Sequence, residues 1–173
     1  MKTAVMLVDL FERDRNALGL PYIKNLSQSP FDDLIKLLDY SDINDLPIII
    51  TTQKLVMQTD HLCEIKNHPI YRKANIFDKY GLAAFSNLEL DIYLKELGIR
   101  NIILGGYHLA LCVRATAGNG MDLGYSTISA KTILYNSISD NKFSKDELAS
   151  TAEKYFTRLY NNVDELAHGL CLH

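Results

Sequence analysis

Hydrophobic positions along the chain fall into short apolar runs that alternate with longer amphipathic segments. Continuous apolar runs lie at Ala4–Val8 and Pro47–Thr52, and the lack of polar alternation is typical of strands covered on both faces. Phe31–Tyr40 and Leu88–Leu97 carry apolar residues at helical spacing, and Gly98 is suited to end the second helix. Strands that alternate with helices in this way predict parallel β-α-β units.

The second half of the chain continues this alternation. We predict strands at Asn101–Leu104 and Tyr125–Ala130, with a helix between them at about Ala110–Leu123. Ser144–Leu159 is predicted as a closing helix, because a serine followed by acidic residues is typical of a helix N-terminus. Together the elements predict an α/β fold, a three-layer α/β/α sandwich with a parallel central sheet, in a single domain over residues 1–173.

Two segments lack a clear period. Phe11–Ser29 contains glycine and proline and is predicted mostly as a loop. Between Gln53 and Tyr71 we expect a long loop with one short helix around Asp60–Lys66, followed by a short strand at Ala74–Phe77 that leads to Lys79.

The charge of the chain argues against two classes of partner. The net charge is −3 and no run of lysine or arginine is present, so we expect neither a nucleic acid nor a membrane surface as partner. The first apolar run is too short for the apolar region of a signal peptide, and no stretch approaches membrane-spanning length.

The three cysteines, Cys63, Cys112 and Cys171, contain no C-x-x-C pair. This argues against a zinc cage and a disulfide framework and favours the reducing cytoplasm.

Polar and glycine residues end several of the predicted strands. Asp9 follows the first strand, Thr51–Gln53 the second, and Gly105–Cys112 a later one. In open parallel sheets the functional groups gather at the carboxyl ends of the strands, so we expect these residues to converge. Cys112 would then lie where a strand gives way to a helix, and a helix N-terminus lowers a thiol pKa. A buried structural cysteine is the alternative.

Three motifs resemble a known family. Asp9 ends an apolar strand, Lys79 stands six residues before Phe85, and Cys112 stands six residues after Gly106. The cysteine is followed by Val113 and leads into Ala115-Thr116-Ala117 and then Gly124-Tyr125. In this order and spacing, roughly from Thr3 to Ala130, the chain resembles the isochorismatase-like cysteine hydrolases, the superfamily of nicotinamidase and N-carbamoylsarcosine amidohydrolase.

The resemblance implies a catalytic triad of Asp9, Lys79 and Cys112. Cys112 would attack a carbonyl carbon and form a covalent intermediate. Asp9 would act as general base and then general acid, and Lys79 would hold the anions and help to lower their pKa values. A purely structural lysine–aspartate pair is the alternative for these two residues.

The family also carries a cis peptide, which maps to Tyr107–His108. That peptide would direct the His108 N–H towards the Cys112 N–H, and the two would form an oxyanion hole. The His108 side chain is expected at most to contact substrate. With it, Phe11, Gln53, Tyr80 and Tyr107 are expected to line the substrate pocket.

Departures from the family pattern bear on metal and substrate. Metal-dependent relatives carry Asp-x-His after the second strand, whereas this chain has Gln53 and Leu55, so we expect no metal and no cofactor. A metal ligand set of His61, Cys63 and His68 is the alternative, but no matching carboxylate or fourth ligand completes it.

Other departures surround the cysteine. Relatives that cleave a vinyl ether carry glycine at the position of Cys112, so the cysteine favours C–N cleavage. Phe11 and Leu109 replace the family's usual Gln and Thr and predict a drier pocket, and Lys131-Thr132 stands where an aspartate is expected.

Two functions follow from these observations. The first is a metal-independent cysteine hydrolase that acts on a small amide or carbamoyl compound, and the second is a non-catalytic member that uses the pocket for binding or the surface for interaction. The resemblance also implies a homo-oligomer, either a dimer or a tetramer. Its interface is expected from Leu88–Leu97 and from the apolar residues after Tyr155, which are alternatively core: Phe156, Leu159, Val163 and Leu166.

Overall fold

Strands and helices alternate from Lys2 to Cys171 in the computed structural model, which describes residues 1–19, 29–53, 60–137 and 142–171. In chain order the elements are β1 (Lys2–Val8), β2 (Leu18–Gly19), α1 (Asp32–Ile43), β3 (Ile48–Gln53), α2 (Cys63–Lys66), β4 (Asn75–Lys79), α3 (Leu88–Glu96), β5 (Ile99–Gly106), α4 (Arg114–Asp122), β6 (Ser126–Ala130), β7 (Asn136–Ser137), α5 (Lys145–Tyr155), β8 (Arg158–Tyr160) and α6 (Val163–Cys171).

Six of these strands form one sheet in the order β4-β3-β1-β5-β6-β8. Every neighbouring pair in it is parallel. β2 and β7 form a separate antiparallel pair. The sheet confirms the predicted α/β class with a parallel central sheet, and its carboxyl edge brings together the ends of β1, β3, β4 and β5.

Two hydrophobic cores cover the faces of the sheet. Residues such as Val5 and Leu7 pack on one face with α1 and α6. Ala4, Met6 and Val8 pack on the other face with α3, α4 and α5. Because both sets of β1 side chains are buried, the strand has to be apolar at every position, which is why its sequence shows no alternation.

The carboxyl ends of β1 and β5 approach each other closely at Gly106. Its φ is +142°, and a Cβ atom placed there would lie 2.2 Å from the carbonyl oxygen of Val8. Only glycine tolerates both the dihedral angle and the contact. This close approach places the turn after β5 directly beside Asp9.

The predicted closing helix is wrong in its last four residues, 156–159. α5 begins at Lys145 with a capping box between Ser144 and Glu147, as expected, but it ends at Tyr155. Phe156 is extended, and the N–H of Thr157 donates to the carbonyl of Thr127 at 2.8 Å. Pairing with β6 therefore overrides the helical pattern and produces β8, and the sequence reasoning also missed α6.

The loop predicted at Phe11–Ser29 is also partly wrong. It contains a 3-10 helix at Glu12–Ala17 and the short strand β2, while residues 20–28 lie outside the described part. Leu55, one of the two positions used to argue against a metal, lies outside the described residues as well.

The apolar residues after Tyr155 are core. Phe156, Val163 and Leu166 are buried, and Leu159 packs against the core of the α3 face. Within the described ranges, no helix is both long and apolar enough to cross a membrane.

Candidate active site

Asp9 and Lys79 form a buried ion pair at the carboxyl edge of the sheet. Asp9 follows β1 with a φ of +51° and is 5% exposed, and Lys79 ends β4 and is 0% exposed. The Lys79 Nζ lies 2.6 Å from the Asp9 Oδ2. A lysine buried this deeply needs both a counter-charge and acceptors for its protons.

The acceptors come from the loop that follows Lys79. Its ammonium donates to the carbonyl oxygens of Leu82, at 3.0 Å, and Gly81, at 3.3 Å. Ser86 shapes this loop, because its hydroxyl accepts the N–H groups of Tyr80 and Gly81 and donates to the Ala83 carbonyl. The lysine is therefore satisfied without the substrate and remains fixed in place.

Cys112 lies in a π-helical turn, Leu109–Val113, between β5 and α4. Its side chain is half-buried, and it interacts with both the Asp9 carboxyl and the Lys79 ammonium. The structure thus brings together the three residues expected to form a triad. The cysteine does not stand in the first turn of a regular α-helix, because α4 begins only at Arg114.

The expected lowering of the Cys112 pKa is wrong for the isolated chain. Burial raises the pKa of the thiol, and the Asp9 charge raises it further, while Lys79 acts in the opposite direction. Burial also raises the pKa of Asp9, against the lowering influence of Lys79. Desolvation outweighs the lysine for both groups. A carboxylate with a raised pKa is a stronger base, and it lies beside a thiol that still holds its proton.

Backbone hydrogen bonds define the turn around Cys112. The peptide bond between Tyr107 and His108 is cis. The N–H groups of Tyr107 and Leu109 donate to Val8 and Tyr135, and those of Leu111 and Val113 both donate to the His108 carbonyl. The residues directly before and after His108, and directly before and after Cys112, therefore all donate their backbone N–H groups to carbonyls of the protein.

The residues expected to line the pocket differ in exposure. Tyr80 is 55% exposed, whereas Phe11 is buried and stacks on His61 with ring centroids 5.6 Å apart. The Tyr107 and His108 rings lie 4.9 Å apart. Gln53 pairs in register with Lys79 and is half-buried. The five pocket assignments stay predictions.

Two of the departures from the family pattern have structural roles. Leu109 is fully buried in the core. The Thr132 hydroxyl donates to Asp33, which also accepts the Val163 N–H and so connects α1 with α6. Leu109 and Phe11 both pack into the interior. The drier pocket expected from these two residues stays a prediction.

Each of the three side chains in the alternative metal ligand set, His61, Cys63 and His68, contacts another residue instead. His61 Nδ1 lies 3.1 Å from the Tyr71 hydroxyl, and His68 Nε2 lies 3.0 Å from an Asp39 oxygen. Cys63 lies near Arg15, which also pairs with two acidic residues.

Those acidic residues, Glu12 and Glu64, form with Cys63 the one group among the described residues whose ligand atoms converge. The Arg15 guanidinium donates to all three. An arginine therefore supplies the positive charge at this cluster.

Sequence reasoning missed two hydroxyl residues near the site. Ser86 organises the loop after Lys79, and Thr116 bonds the Cys112 carbonyl. Thr116 lies within the Ala-Thr-Ala motif and Ser86 directly follows Phe85. Their position in or beside a motif is the sequence signal that could have identified them. A hydroxyl partner depends on tertiary structure, which the spacing of residues does not show.

A cavity of about 1030 Å³ lies at the other end of the sheet, lined by residues such as Lys2, Tyr40, Arg100 and Arg158. It is formed at the amino ends of β1, β5 and β6 and does not contain the triad.

Comparison with known proteins identifies the family of the chain. The sequence model of the isochorismatase domain matches residues 28–131. No curated protein matches the chain.

Three solved structures show the same fold. An isochorismatase-like hydrolase from Alkaliphilus metalliredigens is 18% identical with a TM-score of 0.74, over 98% of this chain and 99% of that one. N-carbamoylsarcosine amidase from Thermoplasma acidophilum is 17% identical with a TM-score of 0.71, over 95% and 98%. The YcaC gene product from Escherichia coli, an octameric hydrolase of unknown specificity, is 18% identical with a TM-score of 0.73, over 94% and 77%. Because the domain match spans more than half of the chain, and the fold is that of these structures, this protein belongs to the isochorismatase-like hydrolase family.

Proposed function

We propose that the protein is a metal-independent cysteine hydrolase that cleaves a C–N bond of a small amide or carbamoyl compound. The observation that carries the proposal is the convergence of Cys112, Asp9 and Lys79 at the carboxyl edge of the sheet, with the lysine 2.6 Å from the aspartate. A thiol beside a buried carboxylate of raised pKa is suited to nucleophilic attack assisted by a general base.

In the first half of the reaction, the Cys112 Sγ attacks the substrate carbonyl carbon. Asp9 takes the thiol proton as the C–S bond forms, so a buried thiolate is never required before substrate binds. The C–N bond then breaks, Asp9 gives the proton to the leaving nitrogen, and a thioester (or thiocarbamate) remains on Cys112.

In the second half, water attacks the acyl carbon. Asp9 again accepts a proton, now from the water, and returns it to the sulfur as the C–S bond breaks. The sum is one amide and one water converted to one acid and one amine.

We place the oxyanion at the backbone N–H groups of His108 and Cys112. The support is the resemblance to the family, which maps these two donors to the turn that carries the nucleophile. Two donors of this kind matter because the loss of one costs about 3 kcal/mol of transition-state stabilisation.

Lys79 holds the site together electrostatically. When Asp9 carries its negative charge, the ammonium at 2.6 Å balances it. When the proton moves from sulfur to oxygen, the same ammonium faces the sulfur, with which it also interacts. Because the lysine is bonded to two carbonyls of its own loop, this stabilisation needs no rearrangement during the reaction.

The amidase among the solved structures supports the C–N chemistry by fold likeness, and the three free cysteines favour a reducing cytoplasm. We also propose a homo-oligomer. The support is the octameric YcaC structure and the exposed face of α3, where Leu88 is 78% and Ile92 57% exposed.

The test is covalent capture combined with turnover. Small primary amides, ureas and N-carbamoyl compounds are incubated with the protein, ammonia release is followed, and the intact mass is recorded after acid quench. We expect turnover with at least one class and an acyl adduct on Cys112. Cys112→Ser is expected to abolish both, and Cys63→Ser, a matched change at an exposed thiol, is expected to leave both intact.

One observation favours a second function, a non-catalytic family member that binds a small molecule. Relatives carry Gln, Thr and Asp at three positions where this chain has Phe11, Leu109 and Thr132, and these three residues stack on His61, pack in the core and bond Asp33 instead. Binding of panel compounds without turnover or adduct, with equal affinity in Cys112→Ser, would support this reading and contradict the hydrolase.

A further inference from the structure

Thr116 connects the segment that carries the nucleophile to the segment that carries the lysine. It lies in the first turns of α4, four residues after Cys112, and is fully buried. Its hydroxyl donates to the Cys112 carbonyl at 2.8 Å and accepts the N–H of Ala84 at 2.9 Å. One side chain therefore satisfies groups from two parts of the chain that are far apart in sequence.

Ala84 begins the 3-10 helix that closes the loop after Lys79. Two carbonyls of that loop, Gly81 and Leu82, accept the Lys79 ammonium. A continuous path thus runs from the ammonium through the loop backbone to the Ala84 N–H, the Thr116 hydroxyl and the Cys112 carbonyl. Movement of either segment relative to the other breaks one of these bonds.

From this geometry we infer that Thr116 is a positioning residue, which fixes the Cys112 sulfur relative to Asp9 and Lys79 without touching substrate. The inference rests on the proposed function, since it concerns the same thiol.

The location of Cys112 explains why such a connection matters. The π-helical turn Leu109–Val113 precedes the regular helix, and a π turn is less regular than the α-helix it joins. The Thr116 hydroxyl donates a hydrogen bond to the carbonyl of the nucleophile itself. Displacement of a reacting group by about 1 Å costs about 100-fold in rate. Even a small displacement of the Cys112 sulfur should therefore produce a measurable loss of rate.

The chain offers a matched control. Thr127 is also fully buried, and its hydroxyl donates to the Tyr155 carbonyl at 2.9 Å. It lies on β6, outside the path described above. Thr127→Val therefore removes a buried hydroxyl of the same kind without disturbing the loop of Lys79 or the turn of Cys112.

The experiment compares iodoacetamide alkylation of each cysteine, read by peptide mass spectrometry from pH 5 to 10, in the parent, Thr116→Val, Thr116→Ser and Thr127→Val. Thermal unfolding is recorded for all four. We expect Thr116→Val to lower the Cys112 alkylation rate at pH 7 by about 10- to 100-fold. Its pH profile should become that of an ordinary thiol, which rises only at alkaline pH. Thr116→Ser and Thr127→Val should keep the parent profile.

Several results would overturn the inference. If Thr116→Val folds and its Cys112 is alkylated within twofold of the parent rate, the inference is contradicted while the proposed function is not. The same holds if Thr127→Val loses as much Cys112 reactivity as Thr116→Val. If Thr116→Val does not fold, Thr116→Ala carries the same expectation, and an unchanged profile there contradicts it. A parent in which Cys112 reacts no faster than Cys63 and Cys171 contradicts the proposed function as well, since no activated thiol is then present to position.

Discussion

Lys79 reaches Asp9 across an intervening strand. Lys79 ends β4 and Asp9 follows β1, and β3 lies between them in the sheet, yet the Nζ and Oδ2 atoms are 2.6 Å apart. The lysine side chain therefore lies over the end of β3, and its charge meets the carboxylate in the interior. Among the described residues, the carboxylate that pairs with this buried lysine therefore comes from a strand that is not its neighbour in the sheet.

Removing the lysine charge should destabilise the fold strongly. Lys79→Met keeps the length of the side chain but leaves Asp9 buried without its partner, and loss of one member of such a pair costs about 3–5 kcal/mol. We expect this loss in urea unfolding at pH 7. It should shrink as the pH falls, because the variant's Asp9 can then bind a proton.

Lys95→Met provides the control for this change. Lys95 pairs with Asp91 at the same 2.6 Å but is 57% exposed, so its loss should cost no more than about 0.5 kcal/mol. Equal losses in the two variants would contradict the importance of burial for the Lys79 pair.

Gly106 should tolerate no side chain. The added Cβ of Gly106→Ala would meet the Val8 carbonyl oxygen at 2.2 Å, at a φ of +142°, and we expect a loss of about 3 kcal/mol or more. Gly124→Ala isolates the backbone contribution, because Gly124 also has a positive φ, +89°, but has nothing within 4 Å of the added atom. The free energy of unfolding of Gly124→Ala should fall by about 1–2 kcal/mol. Chemical unfolding measures both, and a Gly106 variant as stable as the Gly124 variant would refute the close approach.

His61 should make stability sensitive to acid. Burial lowers the pKa of His61 below its ordinary 6.5, so the unfolded chain binds a proton before the folded chain does. The stabilisation is fully present above pH 6.5 and is lost as the pH falls towards the lowered value. His61→Phe keeps the stack on Phe11 but cannot titrate. Its free energy of unfolding should therefore change less than the parent's between pH 7.5 and 5.5, and an equal change in both proteins would show that other groups cause the effect.

The sequence predicted the parts of the structure that depend on local pattern. The unbroken apolar run of β1 requires only that both faces of the strand are buried. The helical spacing of α3 requires only that one face of the helix is buried. Both elements form as expected. The order of Asp9, Lys79 and Cys112 at strand ends was enough to place them at one edge, because parallel strands share that edge.

The errors have physical causes that the local pattern does not contain. Residues after Tyr155 carry a helical spacing, but the backbone of Thr157 bonds β6 and continues as a strand. The thiol pKa was expected to fall because a helix N-terminus and a lysine were anticipated nearby. Burial, which depends on the whole fold, has the larger effect and raises the pKa instead. Thr116 and Ser86 were missed because their partners lie on other segments.

The central claim is that Cys112 attacks with Asp9 as its base, and alkylation of Cys112 against pH in the parent and in Asp9→Asn tests it most directly. In the parent, the rate should rise as Asp9 loses its proton, with a midpoint above the ordinary aspartate value of 3.8, and should reach a plateau at neutral pH. On that plateau the half-buried Cys112 should react faster than the exposed Cys63 and Cys171. Asp9→Asn should lose the plateau and react only as the thiol itself titrates. A Cys112 that reacts no faster than the two exposed cysteines, or an Asp9→Asn profile that matches the parent, would contradict the account.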